Sequence, residues 1–200
     1  MNPIVINDTK SPMKRFILAS HSPRRRELLA EAGYHFDVVA SHIDETLDRN
    51  LSPTENASRI ARQKAMEVAK RKTGTILAAD TLVEIDDHIL VKPRDKSEAI
   101  SMLQKLSNQT HVVITAFILY DTQTHQEISQ IVKTRVTFKP MTLQEIERYI
   151  EQHSPYDKAG AYAIQEEGDR FIQKIEGSYS NVLGLPMEAV SEALTLFHIS

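Results

Sequence analysis

The sequence has no cysteine and no tryptophan, and only 6 glycines in 200 residues. Without cysteine there are no disulfides, no thiolate metal sites and no cysteine nucleophile. The glycine content is well under half the usual share of about 7%. The glycines stand at 33, 74, 160, 168, 177 and 184, a spacing that admits neither G-x-G-x-x-G nor G-x-x-x-x-G-K-[ST]. Any phosphate handled by this chain is therefore held by something other than a glycine-rich cradle. Excess positive charge is also missing: 24 Lys and Arg stand against 27 Asp and Glu, for a net charge of -3. That balance argues against a dedicated nucleic-acid binder. No apolar run approaches the roughly 20 residues of a membrane helix. Residues 1–14 have no apolar centre and do not read as a signal peptide, so the cytoplasm is the expected compartment. The eight histidines include no i, i+4 pair, and no G-x-S-x-G elbow is present.

What is there reads as interleaved strands and helices, an α/β protein without repeats, low-complexity segments or a Pro-, Gly- or Ser-rich linker. The expected organisation is a short N-terminal extension, 1–14, followed by one domain over 15–200. Strands are predicted at 15–20, 35–40, 75–79 (broken by Asp80), 82–85, 88–91, 111–120 and 128–138. A glycine-bearing strand region is predicted from 159 to 174. Helices are predicted from Pro23 to Ala32, Ser52 to about Lys72, Asp95 to Ser107, Thr142 to Gln152 and Pro186 to Phe197. The pairs Ser52/Glu55, Asp95/Glu98 and Thr142/Glu145 read as capping boxes.

Several residues are candidates for chemistry. Ser20 to Arg26 is a strand-to-helix turn in which hydroxyls, unpaired N–H groups and the guanidinium groups of Arg24, Arg25 and Arg26 meet at a helix N-terminus. It reads either as an anion site, with Ser22 as the cap, or as a solvated basic turn. It has no aromatic residue to stack a base. Asp80, beside Thr81 at the end of an apolar strand, reads as a ligand-side carboxylate or as a turn cap. Glu45 and Asp44 read as surface charges by spacing, although two carboxylates with waters and phosphate oxygens suit Mg²⁺ or Mn²⁺. Lys92 reads as a phosphate contact or a solvated lysine, and Lys64 as part of an exposed helix face. Metal-assisted phosphoryl chemistry is the reaction class that several of these residues support together.

The blocks I-L-A-S-H-S-P-R-R-R-E-L-L (17–29), I-D-E-T (43–46), A-A-D-T (78–81), V-K-P-R-D (91–95), Y-D-K-A-G-A-Y-A-I-Q (156–165) and I-E-G-S-Y-S-N-V-L-G-L-P (175–186) occur in order. Together they resemble the Maf family of nucleoside triphosphate pyrophosphatases, from about residue 16 to 197. The resemblance implies a mixed twisted sheet flanked by helices, of the Maf and inosine triphosphatase kind, with two lobes around a cleft. It implies hydrolysis of a nucleoside triphosphate between the α and β phosphates with a divalent cation, Mg²⁺ or Mn²⁺, held by Asp80 and Glu45. On that pattern Asp80 is the proton acceptor with Glu45 as its companion, and Arg25, Lys64 and Lys92 hold phosphates. Arg24, Thr81 and Gln165 match the branch acting on UTP and dTTP. Alternatives are a 7-methyl-GTP-type pyrophosphatase of the same family and a non-catalytic nucleotide-binding regulator of septum formation. The resemblance implies no nucleic-acid or membrane partner; homodimers are common in the family. Ala78 departs from a common glycine and places a methyl near the expected site.

Overall fold

The computed structural model describes residues 15–165 and 169–199. The extension expected at 1–14, and Gly168, lie outside them. A seven-stranded mixed sheet has the order β2-β1-β3-β5-β6-β7, with β4 paired to β3. The strands are β1 (Phe16–Leu18), β2 (Phe36–Val38), β3 (Thr75–Ile85), β4 (His88–Leu90), β5 (Thr110–Asp121), β6 (Glu127–Phe138) and β7 (Ile172–Glu176). β1 is parallel to β2 and β3, and the remaining pairs are antiparallel.

The helices are α1 (Pro23–Glu31), α2 (Pro53–Ala69), α3 (Lys96–Leu106), α4 (Leu143–His153), α5 (Asp169–Phe171), α6 (Tyr179–Val182) and α7 (Met187–Leu196). Alternation along the strands divides the apolar side chains between two faces. Phe16, Leu18, Leu77 and Ala79 pack with Leu29 of α1 and Val190 and Leu194 of α7. On the opposite face Ile17, Ala19, Ile76 and Ala78 meet Ala57, Ala61 and Ala65 of α2, whose small side chains let the helix sit close. At the far end of the long strands a third cluster joins Val83, Val136 and Phe138 to Leu103 of α3 and Tyr149 and Ile150 of α4. The long strands thus carry a packed end at each extremity.

Three expectations are corrected. Asp80 does not break a strand: β3 runs through it, with Asp80 opposite Ala116 in an unbroken register against β5. Long-range pairing overrides the local preference of aspartate for turns. The described residues 159–165 and 169–171 are not strand: a 3₁₀ turn (Ala159–Ala161) carries positive φ at both Gly160 and Ala161, Asp169–Phe171 is helical, and the described strand runs Ile172–Glu176. The capping boxes form at Ser52/Glu55 and Thr142/Glu145, but Asp95 caps α3 alone, because Glu98 accepts from the backbone and guanidinium of Arg94.

Candidate active site

β3 has β5 along one edge, but its other edge is only partly covered. β1 pairs with it at Ile76 and Leu77, and β4 from Val83 to Ile85. The intervening stretch, 78–82, has no strand beside it, and Asp80 and Thr81 sit in that gap. A cavity of about 740 Å³ opens there, between the packed ends of the sheet, within the range of small-ligand sites.

Nine of the candidates line this cavity: Ser22, Arg24 and Arg25 from the start of α1, Glu45 from the loop after β2, Lys64 from α2, Asp80 and Thr81 from β3, Lys92 after β4, and Gln165; Arg26 and Asp44 do not. Its charged centre is Lys64, which is buried rather than part of an exposed helix face. Its Nζ lies 2.8 Å from Asp80 Oδ1 and 3.0 Å from Glu45 Oε2. Even-numbered residues of β3 face α2, as Ala78 does in the core, so Lys64 on α2 meets Asp80 directly. Lys64 and Asp80 are each under a tenth exposed at the side chain, whereas Glu45 is half exposed. A charge-assisted pair with so little water between its members is strong only because each is matched. Lys64 takes only Oδ1 of Asp80, leaving Oδ2 without a donor among the described residues. Asp44 turns away into the hydroxyl and N–H of Thr46.

At the helix start, Ser22 caps α1 by accepting from Arg25 N, and Ser20 Oγ accepts from Ser22 N. Arg24 and Lys92 reach the cavity with no ion pair among the described residues. Arg25 differs from both. It is buried, and donates to Gly184 O (2.8 Å), Ala79 O (2.8 Å), Ser20 Oγ (3.4 Å) and Thr81 Oγ1 (2.9 Å). Burial draws its pKa below the usual guanidinium value, against the pull of Asp80 and Glu45. Thr81 Oγ1 is also within 2.9 Å of Thr115 Oγ1 and 3.2 Å of Gly184 O. Both side chains are thus largely engaged by the protein itself. Ala78 does not line the cavity; its methyl is buried against α2. Of the glycines around Gln165, Gly184 lines the cavity, while Gly160 packs on Val83 and Gly177 on Thr134.

The cavity also contains residues that the sequence pattern did not single out. Lys158, with its ammonium 2.9 Å from Asp157, and Tyr162 form part of the wall, as do Glu27 and Ser41. Lys158 and Tyr162 belong to the Y-D-K-A-G-A-Y-A-I-Q block, which was the available signal for them. Tyr162 is buried, its hydroxyl 2.7 Å from Nε2 of the buried His111, and burial raises the phenol's pKa.

The fold belongs to the mixed α/β class that includes a HAM1 protein from Coxiella burnetii. That structure aligns at a TM-score of 0.51 and 17% identity over 92% of this chain and 100% of its own. A family model described as Maf-like protein matches residues 15–197, so the chain belongs to the Maf family. Relatives include the dTTP/UTP pyrophosphatase of Bacillus pumilus (strain SAFR-032), 45% identical over 94% of this chain and 99% of that protein. The protein of the same name from Geotalea uraniireducens (strain Rf4) is 48% identical over 89% of this chain and 92% of its own length.

Proposed function

We propose that the protein hydrolyses dTTP and UTP to the monophosphate and pyrophosphate. The observation that carries this reading is the Asp80–Lys64–Glu45 centre, set in a nucleotide-sized cavity of a Maf-family chain whose relatives bear the dTTP/UTP pyrophosphatase name. Water attacks the α-phosphorus, the bond to the bridging oxygen breaks, and pyrophosphate leaves. Asp80, through Oδ2, takes the proton of the attacking water. Lys64 orients that carboxylate by holding Oδ1. Lys92 and Arg24, on the cavity wall, neutralise charge on the phosphate chain, where electrostatic stabilisation does most of the catalytic work. Gln165 offers both a donor and an acceptor, which the imide edge of uracil or thymine requires.

The donor set fits a divalent cation. Asp80 and the half-exposed Glu45 bring hard carboxylate oxygens to the cavity wall on either side of Lys64. Among the described residues no cluster of three or more His, Asp or Glu residues forms a cage. Hard oxygen donors with positions left for phosphate and water are the Mg²⁺ pattern. Asp80 and Glu45 would hold the ion, which supplies charge neutralisation and a more acidic water.

Duplex nucleic acid is not the partner on this reading. The net charge is -3, and of the three arginines at the start of α1, Arg25 is buried. Among the described residues no helix is long and apolar enough to cross a membrane.

The bond cleaved is tested by product analysis of UTP and dTTP turnover in ¹⁸O-labelled water. The expected products are labelled monophosphate and pyrophosphate; orthophosphate and a nucleoside diphosphate would refute the proposal. Asp80→Asn, similar in shape, is expected to lower turnover by about 100- to 1,000-fold. Near-normal turnover would exclude Asp80 as the proton acceptor.

A further inference from the structure

We propose that Arg25 is a positioning residue, a clamp that fixes the backbone on either side of Asp80, and does not hold the phosphates of the substrate. The inference rests on the pyrophosphatase reading of the cavity and adds to it the element that keeps the reactive carboxylate in place.

The argument begins with the gap in the sheet. Between Leu77, the last residue of β3 paired with β1, and Val83, the first paired with β4, β3 has no neighbour on that edge. A backbone carbonyl there has no strand N–H to accept from, and leaving it buried and unpaired is costly. The guanidinium of Arg25 fills this place. Nη1 donates to Ala79 O at 2.8 Å, and Nη2 donates to Thr81 Oγ1 at 2.9 Å. The residues gripped are those immediately before and after Asp80. Nε donates to Gly184 O at 2.8 Å, tying the same group to the turn that follows α6. The planar fork of arginine can hold these acceptors in one rigid geometry, which the single ammonium of a lysine cannot reproduce.

The donors leave little for a ligand. A guanidinium has five N–H groups, and four of them meet Gly184 O, Ala79 O, Ser20 Oγ and Thr81 Oγ1. Thr81 Oγ1 accepts from Arg25 and is shared with Thr115 Oγ1 and Gly184 O, so the clamp is buttressed from β5 as well. Gly184 has φ +107, a conformation that L side chains rarely adopt, and its carbonyl is the acceptor at the far end of the clamp. Its turn is held to the sheet by the buried Asn181, whose Nδ2 donates to Val113 O and Thr134 Oγ1. β3, α1 and the turn after α6 therefore meet at one guanidinium.

A clamp and a phosphate ligand differ in what their loss changes. Misplacing a reacting group by about 1 Å costs roughly 100-fold in rate, whereas losing a phosphate contact weakens nucleotide binding. The experiment measures, for Arg25→Lys and Arg25→Ala, pyrophosphate release from UTP and calorimetric binding of the non-hydrolysable α,β-imido-dUTP. For both variants kcat is expected to fall by about 100-fold, with the Kd of the analogue within about threefold of the parent protein. Guanidinium ion added to Arg25→Ala is expected to restore part of kcat without changing Kd. A rise in Kd equal to or larger than the fall in kcat, or no change in either, overturns the proposal.

If either Arg25 variant fails a thermal-unfolding check, Thr81→Val decides. It removes one acceptor of the clamp while keeping the charge, and a fall in kcat at constant Kd is again expected. A parent protein that releases no pyrophosphate counts against the activity itself, and that result appears before any variant is made.

Discussion

Replacing Lys64 by methionine keeps most of the buried stem and removes the charge that Asp80 and Glu45 share. Two carboxylates then face each other with no cation between them, one of them under a tenth exposed at the side chain. Breaking a buried ion pair costs about 3 kcal/mol or more, so denaturant unfolding of Lys64→Met is expected to show a loss of about that size. Turnover is expected to fall with it. Unchanged stability would show that the pair contributes nothing to the fold. The sequence identified Lys64 only through family resemblance, because by spacing it read as an exposed helical residue. What buries it is Asp80, 16 residues away on another element. Arg25 and Thr81 were legible as cavity residues, but not in their roles. Their partners lie 159 and 103 positions away at Gly184, a distance over which spacing carries no information. Lys158 and Tyr162 lie in the Y-D-K-A-G-A-Y-A-I-Q block, but the block does not say which of its side chains face the cavity.

Elements whose determinants lie within four residues were readable. The boxes at Ser52/Glu55 and Thr142/Glu145 start α2 and α4 where expected, and Asp86-Asp87, both at positive φ, turn β3 into β4 as a two-residue hairpin. Thr142→Ala is expected to lower stability by about 1 kcal/mol in thermal or denaturant unfolding. It should leave pyrophosphate release unchanged, because α4 packs at the end of the sheet away from the charged centre. A loss of activity in that variant would mean that the two packed ends are coupled more tightly than the contacts suggest. Elements that depend on distant pairing were read less well. β3 was divided at Asp80, although register with β5 carries it through, and the segment after Ala159 was read as strand although consecutive residues at positive φ prevent it.

At the scale of the whole molecule, His111 links stability to pH. It is buried on β5 against Phe138 and Tyr162, with Nδ1 unpartnered among the described residues, and burial lowers its pKa from 6.5 to about 4. The folded protein therefore keeps this imidazole neutral where the unfolded chain would protonate it. Below pH 6.5 the unfolded state binds more protons, so stability falls as pH drops from 6.5 toward 4, by up to about 3 kcal/mol from this group. Above pH 6.5 the contribution is constant. Unfolding midpoints measured from pH 8 to 4.5 should decline less steeply for His111→Gln than for the parent protein; parallel curves would contradict the assignment.

The fold class was legible because strands and helices alternate in the sequence. The cavity's position was not, since it depends on where β1 ends and β4 begins along the edge of β3. The central claim is that this cavity selects a pyrimidine imide and releases pyrophosphate. It is tested most directly by kcat/KM for pyrophosphate release from UTP, dTTP, CTP, ATP, GTP and 7-methyl-GTP, each with Mg²⁺ and with Mn²⁺. The account predicts UTP and dTTP ahead of every other nucleotide by at least about tenfold, since a mismatched base leaves buried polar groups unpaired. Equal or faster turnover of GTP or 7-methyl-GTP, or binding of UTP and dTTP without release of pyrophosphate, would contradict it.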